Sequence, residues 1–259
     1  MMFTTKRIGV GLAALVVTLA LNGRASADVL DLTSGGTGGF NGAIFTTNMV
    51  QPTGTGVIDS FLRLQNNGTE QGYNTSARPV QFDQKTDPNF TRDLLLSSVP
   101  VVNINGTAYR QFLLDINETH GLPGALLSLD KLQLFQSPTG MQNNYPNLGT
   151  KVYDMGAGNA VLLNYDLNHG SGSGDMFAYI PDALFDPSIP YVYLYSAFGA
   201  LANAGSDAGF EEWATLEGTT PPVNEVPAPA TLLFAALGCG VGMVGYAIRN
   251  RRKQTAKPA

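Results

Sequence analysis

The sequence predicts an all-β fold, a single β-sandwich or jelly-roll-like domain over residues 28–217. Three observations carry that prediction. Short apolar segments recur with a period of two, turn residues punctuate them, and no stretch sustains the 3.6-residue period of an amphipathic helix. An α/β sheet needs crossover helices between its strands, and the pattern offers none.

The expected strands are 43–48, 56–65, 78–83, 99–104, 108–117, 126–136, 160–167, 176–180, 191–197 and 210–215. Each is a short apolar run bounded by Gly, Asn, Asp, Ser, Thr or Pro. Between 99–104 and 108–117 lies Asn105-Gly106, the pair that suits a two-residue type I′ hairpin. In 108–117 the residues Tyr109, Gln111 and Leu113 alternate against Arg110, Phe112, Leu114 and Ile116. In 126–136 the alternation of Leu127 and Leu129 slips by one before Leu132 and Leu134, which places a bulge near Asp130-Lys131. Tyr191-Val192-Tyr193-Leu194-Tyr195 alternates most regularly. Asn67-Gly68, Asp87-Pro88, 147–149 and 170–174 mark further loops. No internal repeat is visible.

The flanks of this domain differ from it. Lys6 and Arg7, the apolar run 8–21 and the small residues Ala25-Ser26-Ala27 form a signal peptide over residues 1–27, with cleavage expected before Asp28. On the other side a Pro-rich linker spans 218–225. Val226-Pro227-Ala228-Pro229-Ala230-Thr231 follows it, and residues 230–248 carry no charge. Those 19 residues, as a helix, cover about 28 Å, close to the hydrocarbon thickness of a bilayer. Arg249, Arg251, Arg252 and Lys253 then act as a stop-transfer cluster. The positive-inside rule puts that cluster and the tail 254–259 in the cytoplasm and the sandwich on the other side. Gly238 and Gly242 are most simply the glycines common in membrane helices.

This layout over residues 226–253 resembles the PEP-CTERM sorting signal of Gram-negative bacteria, a Val-Pro-Glu-Pro motif, a membrane helix and an Arg-rich end. Pro227, Pro229, Ala230, Thr231 and the arginines match, while Ala228 stands where the family has glutamate. The resemblance implies recognition by an exosortase, a membrane cysteine transpeptidase-like enzyme. It also implies removal of the transmembrane helix after a transient inner-membrane anchorage, and delivery of the exported ectodomain to the cell surface or extracellular matrix.

Charge divides in the same way. Between Asp28 and Val226 there are seven basic and twenty acidic residues, a net of −13. Such a surface argues against nucleic acid and anionic lipid as partners. The one cysteine, Cys239, falls in the predicted membrane helix, so the sandwich uses neither disulfides, thiol catalysis nor cysteine metal ligands.

Several residue groups are candidates for chemistry. Asp166, Asn168 and Asp175, on a Gly-rich loop with His169, offer hard oxygen ligands for calcium, although the spacing is not that of an EF-hand. No other cofactor is expected. Asp115, Asn117, Glu118 and His120 cluster at a strand end, where a cation or sugar site competes with a hydrated turn. A histidine-based site would need His120 and His169 to converge. Glu211 and Glu212 precede Trp213, and glycosidases use paired carboxylates. Adjacent strand residues face opposite ways, however, so Glu211 is expected to share a face with Trp213 and Glu212 with Phe210. Tyr191, Tyr193 and Tyr195 share one face, a sugar-stacking row if exposed and core if covered. The sequons at Asn67, Asn74, Asn89, Asn105 and Asn117 follow from an Asn- and Thr-rich composition. No phosphate-binding loop or nucleophile elbow is present.

The functional expectation is a non-catalytic structural or adhesive protein of the envelope or extracellular matrix, with extracellular polysaccharide as a further partner. The alternatives are a carbohydrate- or calcium-dependent binding module and a polysaccharide-active enzyme.

Overall fold

The computed structural model describes residues 28–48, 58–168, 174–207 and 209–216. The expected signal peptide with Ala25 and Ala27, His169, the expected linker and sorting motif 226–231, the span 230–248 and the basic cluster 249–253 lie outside the described residues. Among the described residues no helix is long and apolar enough to cross a membrane.

Sixteen strands are described. They are β1 (Val29–Asp31), β2 (Thr37–Gly38), β3 (Ile44–Thr46), β4 (Ile58–Leu64), β5 (Asn67–Gly68), β6 (Glu70–Tyr73), β7 (Leu94–Leu95), β8 (Val101–Ile104), β9 (Thr107–Asp115), β10 (Leu126–Ser137), β11 (Thr150–Asp154), β12 (Ala160–Asn164), β13 (Met176–Pro181), β14 (Tyr191–Phe198), β15 (Ser206–Asp207) and β16 (Glu211–Leu216). Two seven-stranded sheets pack together as a β-sandwich. The first runs β1-β12-β10-β14-β6, with β11 also on β10 and β7 also on β14. The second runs β2-β3-β13-β9-β16-β4, with β8 also on β9. A two-stranded ribbon, β5 with β15, stands apart. All pairings are antiparallel except β1 with β12.

Period-two alternation sorts the side chains. On β14, Val192, Leu194 and Phe198 enter the central core, while Tyr193 and Tyr195 lie in a separate aromatic cluster. On β13, Met176, Ala178 and Ile180 go inward and Phe177 and Tyr179 outward. On β9, Phe112 and Leu114 go inward and Leu113 outward. The sandwich thus has a central core and an apolar patch on the outer face of each sheet. The indole of Trp213, on β16, donates to Ser196 Oγ on β14 at 3.0 Å, a buried bond that ties the two sheets.

The β8–β9 turn has the expected geometry, with φ of 50–85° at both centres (51° at Asn105, 85° at Gly106). The register of β10 against β14 shifts between Leu129 and Lys131, the expected bulge. Residues 78–83, expected as a strand, are instead part of a folded loop. At its end Asp83 N donates to Gln71 O and Asp83 O accepts from Gln65 N, while side chains brace the loop. Arg78 donates to the carbonyls of Thr75, Ala77, Thr86 and Thr91, and Gln84 Oε1 accepts from Phe82 N. Residues 165–167, expected to continue β12, form a 3₁₀ turn whose entry is capped by Asn164. Strands β1, β2, β5, β6, β7, β11 and β15 were not expected.

Candidate functional site

The sequence places four acids near one end of the sandwich without grouping them, and the fold brings them together. Glu70 opens β6 of the first sheet. Glu211 opens β16 of the second. Glu118 follows β9, and Asp207 lies on the β15 ribbon. The approach depends on glycine. A Cβ on Gly209 would overlap the carbonyl of Asn117, and one on Gly199 (φ 85°) would overlap that of Gly68. Only glycine lets the 199–210 segment lie this close to β5 and to the end of β9.

Burial here is near complete. Glu211 is 0% exposed, Glu70 2% and Glu118 5%. Glu70 Oε2 accepts from Asn66 N at 2.9 Å, and Glu118 Oε2 accepts from Asp207 N at 3.0 Å. Asp207 Oδ2 accepts from Thr119 N at 2.6 Å. Among the described residues, the other oxygens of Glu70 and Glu118, and both oxygens of Glu211, have no nitrogen or hydroxyl donor. What they face is each other, with Glu211 between Glu70 and Glu118 and Glu118 also against Asp207.

Burial dominates the ionisation of this group. Desolvation raises Glu211 well above the ordinary carboxylate range, and the Glu70 and Glu118 carboxyls raise it further. Desolvation also raises Glu70, opposed by its contacts to Glu211 and Asn66. Glu118 is pushed up to about 8, chiefly by desolvation. Asp207 moves the other way, its burial outweighed by the bonds from Thr119, Glu118 and Gly209.

The neighbouring residue behaves differently. Glu212 points to the outer face, as the alternation requires, and pairs with Arg63 of β4. The Arg63 guanidinium lies 3.2 Å from the ring centre of Phe90 and 4.9 Å from that of Phe210. Adjacent residues of one strand therefore meet opposite electrostatic environments.

The remaining candidates fall elsewhere. Asp166 sits in the 165–167 turn, where Oδ1 bonds His120 Nδ1 at 2.8 Å and Oδ2 accepts from Gly121 N at 3.0 Å. Asn168 donates its amide to the carbonyl of Gly174. Asp175 is 5% exposed, and its Oδ2 accepts from Ile116 N at 2.8 Å inside the sandwich. Desolvation, with Asp115 adding to it, raises Asp175 well above the usual range. The oxygens of Asp166 and Asp175 are thus directed to different neighbours. Among the described residues no group of three or more His, Cys, Asp and Glu is arranged to hold a metal ion.

Tyr193 and Tyr195 are covered and Tyr191 partly so, which makes the tyrosine row an outer core rather than an exposed stacking surface. Tyr145 stacks on Tyr195 with ring centres 3.9 Å apart. Asn74 is fully buried, its amide bonded to Val192 O and its carbonyl accepting from Leu194 N. The sequon there is a structural residue.

Glu70 and Asp207 were not singled out by the sequence, and Glu118 and Glu211 were singled out separately. One signal was present: an acid expected on the same strand face as Trp213 is an acid expected in the core. The fold and site together define a β-sandwich with a buried carboxyl group chain between its sheets. Compared with protein-family models, curated proteins and solved structures, the chain matches none.

Proposed function

We propose that the chain is an exported β-sandwich protein, sorted to the outer surface or extracellular matrix, with a structural or adhesive role and no catalytic one. The observation that carries the reading is the order of segments in the sequence. A signal peptide precedes the sandwich, and a PEP-CTERM-like motif, an uncharged 19-residue span and an arginine cluster follow it. The acidic balance of the sandwich, −13 between Asp28 and Val226, agrees with life outside the cytoplasm and away from nucleic acid. An exosortase and, before processing, the inner membrane are the partners this reading requires.

Support for a non-catalytic role comes from enclosure. A glycosidase pair flanks a bond that a sugar can reach. Glu211 does lie beside other carboxyls, yet at 0% exposure, and Glu212 is engaged by Arg63.

Intact-mass analysis of the protein expressed with and without an exosortase tests the sorting. The expected mature species begins at Asp28 and, with exosortase present, lacks the segment after Pro229. Retention of that segment under both conditions overturns the sorting. Extracellular matrix from a deletion strain is expected to lose cohesion, and hydrolysis of matrix polysaccharide by the purified protein would overturn the non-catalytic role.

A further inference from the structure

The buried acids at the β6, β9, β15 and β16 corner have a property that neither sorting nor adhesion explains. Ionised, they would place three carboxylates against one another with almost no water. An isolated buried carboxylate is costly, and like charges at contact raise that cost further. Asp175 Oδ2 accepts from Ile116 N, and Glu212 pairs with Arg63. Here Glu211 is fully enclosed, lacks any backbone, hydroxyl or nitrogen donor among the described residues, and is aimed at two more acids.

Charged groups facing the cluster do not neutralise it. Glu70 meets Glu211 and Asp83, with Lys85 a weaker opposing charge. Glu118 meets Asp207 and Glu211. Glu211 meets Glu70 and Glu118. Arg63 is committed to Glu212. A metal ion is the other way to satisfy such a group, and the oxygens are not gathered around a common centre. Protons remain. A protonated Glu211 donates to one neighbour, and a protonated Glu118 donates to Asp207. The chain Glu70, Glu211, Glu118, Asp207 then becomes a run of carboxyl–carboxylate hydrogen bonds, which are short and strong when one partner is ionised.

We propose that Glu70, Glu118, Glu211 and Asp207 form a proton-held clasp that fastens the first sheet, the second sheet and the β5–β15 ribbon at one corner of the sandwich, closed while the carboxyls share protons and released when they ionise. Its parts come from both sheets and the ribbon, which share no strand ladder with one another. Trp213 sits two residues from Glu211 on the same face and bridges to Ser196, so the clasp adjoins the main inter-sheet contact.

The sign follows from linkage. The folded clasp keeps protons that an unfolded glutamate releases near 4.5, and Glu118 keeps its proton to about 8. Across that interval the folded state binds more protons than the unfolded one. Stability is therefore full below the ordinary glutamate range and falls as pH rises through the interval, by about tenfold in the unfolding constant per pH unit for each proton retained.

Trp213 is the only tryptophan of the chain and reports on this corner directly. The experiment is urea unfolding of the full chain in detergent, followed by Trp213 fluorescence, for the wild type and Glu211→Gln. The expected result is a wild-type unfolding constant at least ~30-fold larger at about pH 8 than at about pH 5, with a much smaller change in Glu211→Gln, whose amide donates without titrating. A flat wild-type profile, or an unchanged slope in Glu211→Gln, overturns the clasp. Should Glu211→Gln fail to fold, Glu118→Gln at the edge of the group and the infrared spectrum of the wild type decide. The folded protein at neutral pH is expected to show the C=O stretch of a protonated carboxylic acid, diminished in Glu118→Gln. Absence of that band overturns the proposal. So does stabilisation of the wild type at about pH 8 by millimolar calcium that Glu211→Gln abolishes, since the group would then be held by a cation.

Discussion

The outer face of the first sheet and the carboxyl corner both bury polar atoms, and they do so by opposite means. On the outer face four phenols have a partner of complementary kind. Tyr73 donates to Gln81 Oε1, Tyr145 to Gln133 Oε1, Tyr193 to Asp93 Oδ1 and Tyr195 to Gln71 Oε1. Burial pushes the phenols of Tyr193 and Tyr195 above their already high ordinary range, so they stay neutral at any physiological pH. At the corner, oxygen faces oxygen, and only bound protons make the contact favourable. A polar network built of neutral donors is indifferent to pH below the tyrosine range. One built of carboxyls is conditional on it.

The largest effect that tests this contrast is Tyr193→Ala. Tyr193 is fully buried between β14 and the 138–149 loop, accepts from Gln142 N at 3.3 Å and donates to Asp93. Truncation removes an aromatic ring and leaves Gln142 N without its acceptor, while Asp93 Oδ1 keeps the bond from Ser76 N, at a cost of about 3–5 kcal/mol. The loss is expected to be equal at about pH 5 and about pH 8, read from urea midpoints. A loss confined to one pH would break the contrast.

Next in size is Glu211→Leu, a swap of similar volume that removes the central carboxyl. At about pH 8 it is expected to stabilise the fold by about 1–3 kcal/mol, the size of an unsatisfied buried polar group relieved. At about pH 5, where the wild-type clasp is protonated, the gain is expected to shrink or reverse. Thermal denaturation at the two pH values checks it, and destabilisation at both would show that the carboxyl contributes regardless of its proton. A smaller probe of the other face is Tyr193→Phe, which keeps the ring and loses the hydroxyl. The expected cost is about 1 kcal/mol, without pH dependence in the same window.

Much of the fold was legible because it rests on period two. The alternation of Tyr191 to Tyr195 and of Tyr109 to Ile116 separates core from outer patch in the structure as it does in the sequence. Asn105-Gly106 and the slip at Asp130-Lys131 are local signals of backbone geometry, and both hold. The failures share a cause. Residues 78–83 look like a strand by apolar content, yet Arg78 and Gln84 satisfy a looped backbone instead, through partners up to 13 residues away. Strands of two to five residues such as β5, β6, β11 and β15 are specified by what they pair with, which no local pattern records. The corner was half legible for the same reason. Glu211 beside Trp213 on an inward face is visible in the sequence. That Glu70 and Glu118, 141 and 93 positions earlier, arrive at the same point is set by the sheet order alone.

The smallest expected effect comes from a histidine–carboxylate pair with the geometry of a catalytic or ligand group. His120 Nδ1 and Asp166 Oδ1 are 2.8 Å apart, and the His120 ring lies over Tyr165 at 5.3 Å between centres. The pair also joins the end of β9 to the 165–167 turn, which is how the candidate calcium ligand Asp166 comes to face the protein. Yet the His120 side chain is 66% exposed. Water screens such a pair, and ordering the ring offsets part of its gain, so exposed ion pairs contribute about 0–1 kcal/mol. His120→Ala is therefore expected to shift the urea midpoint by no more than about 0.5 kcal/mol equivalent and to leave the Trp213 emission of the folded protein unchanged. A larger loss would mean that the turn at 165–168 depends on His120 to hold its shape. The pH-sensitive corner and this exposed pair would then be coupled through the segment from Asp115 to His120, which ends at both.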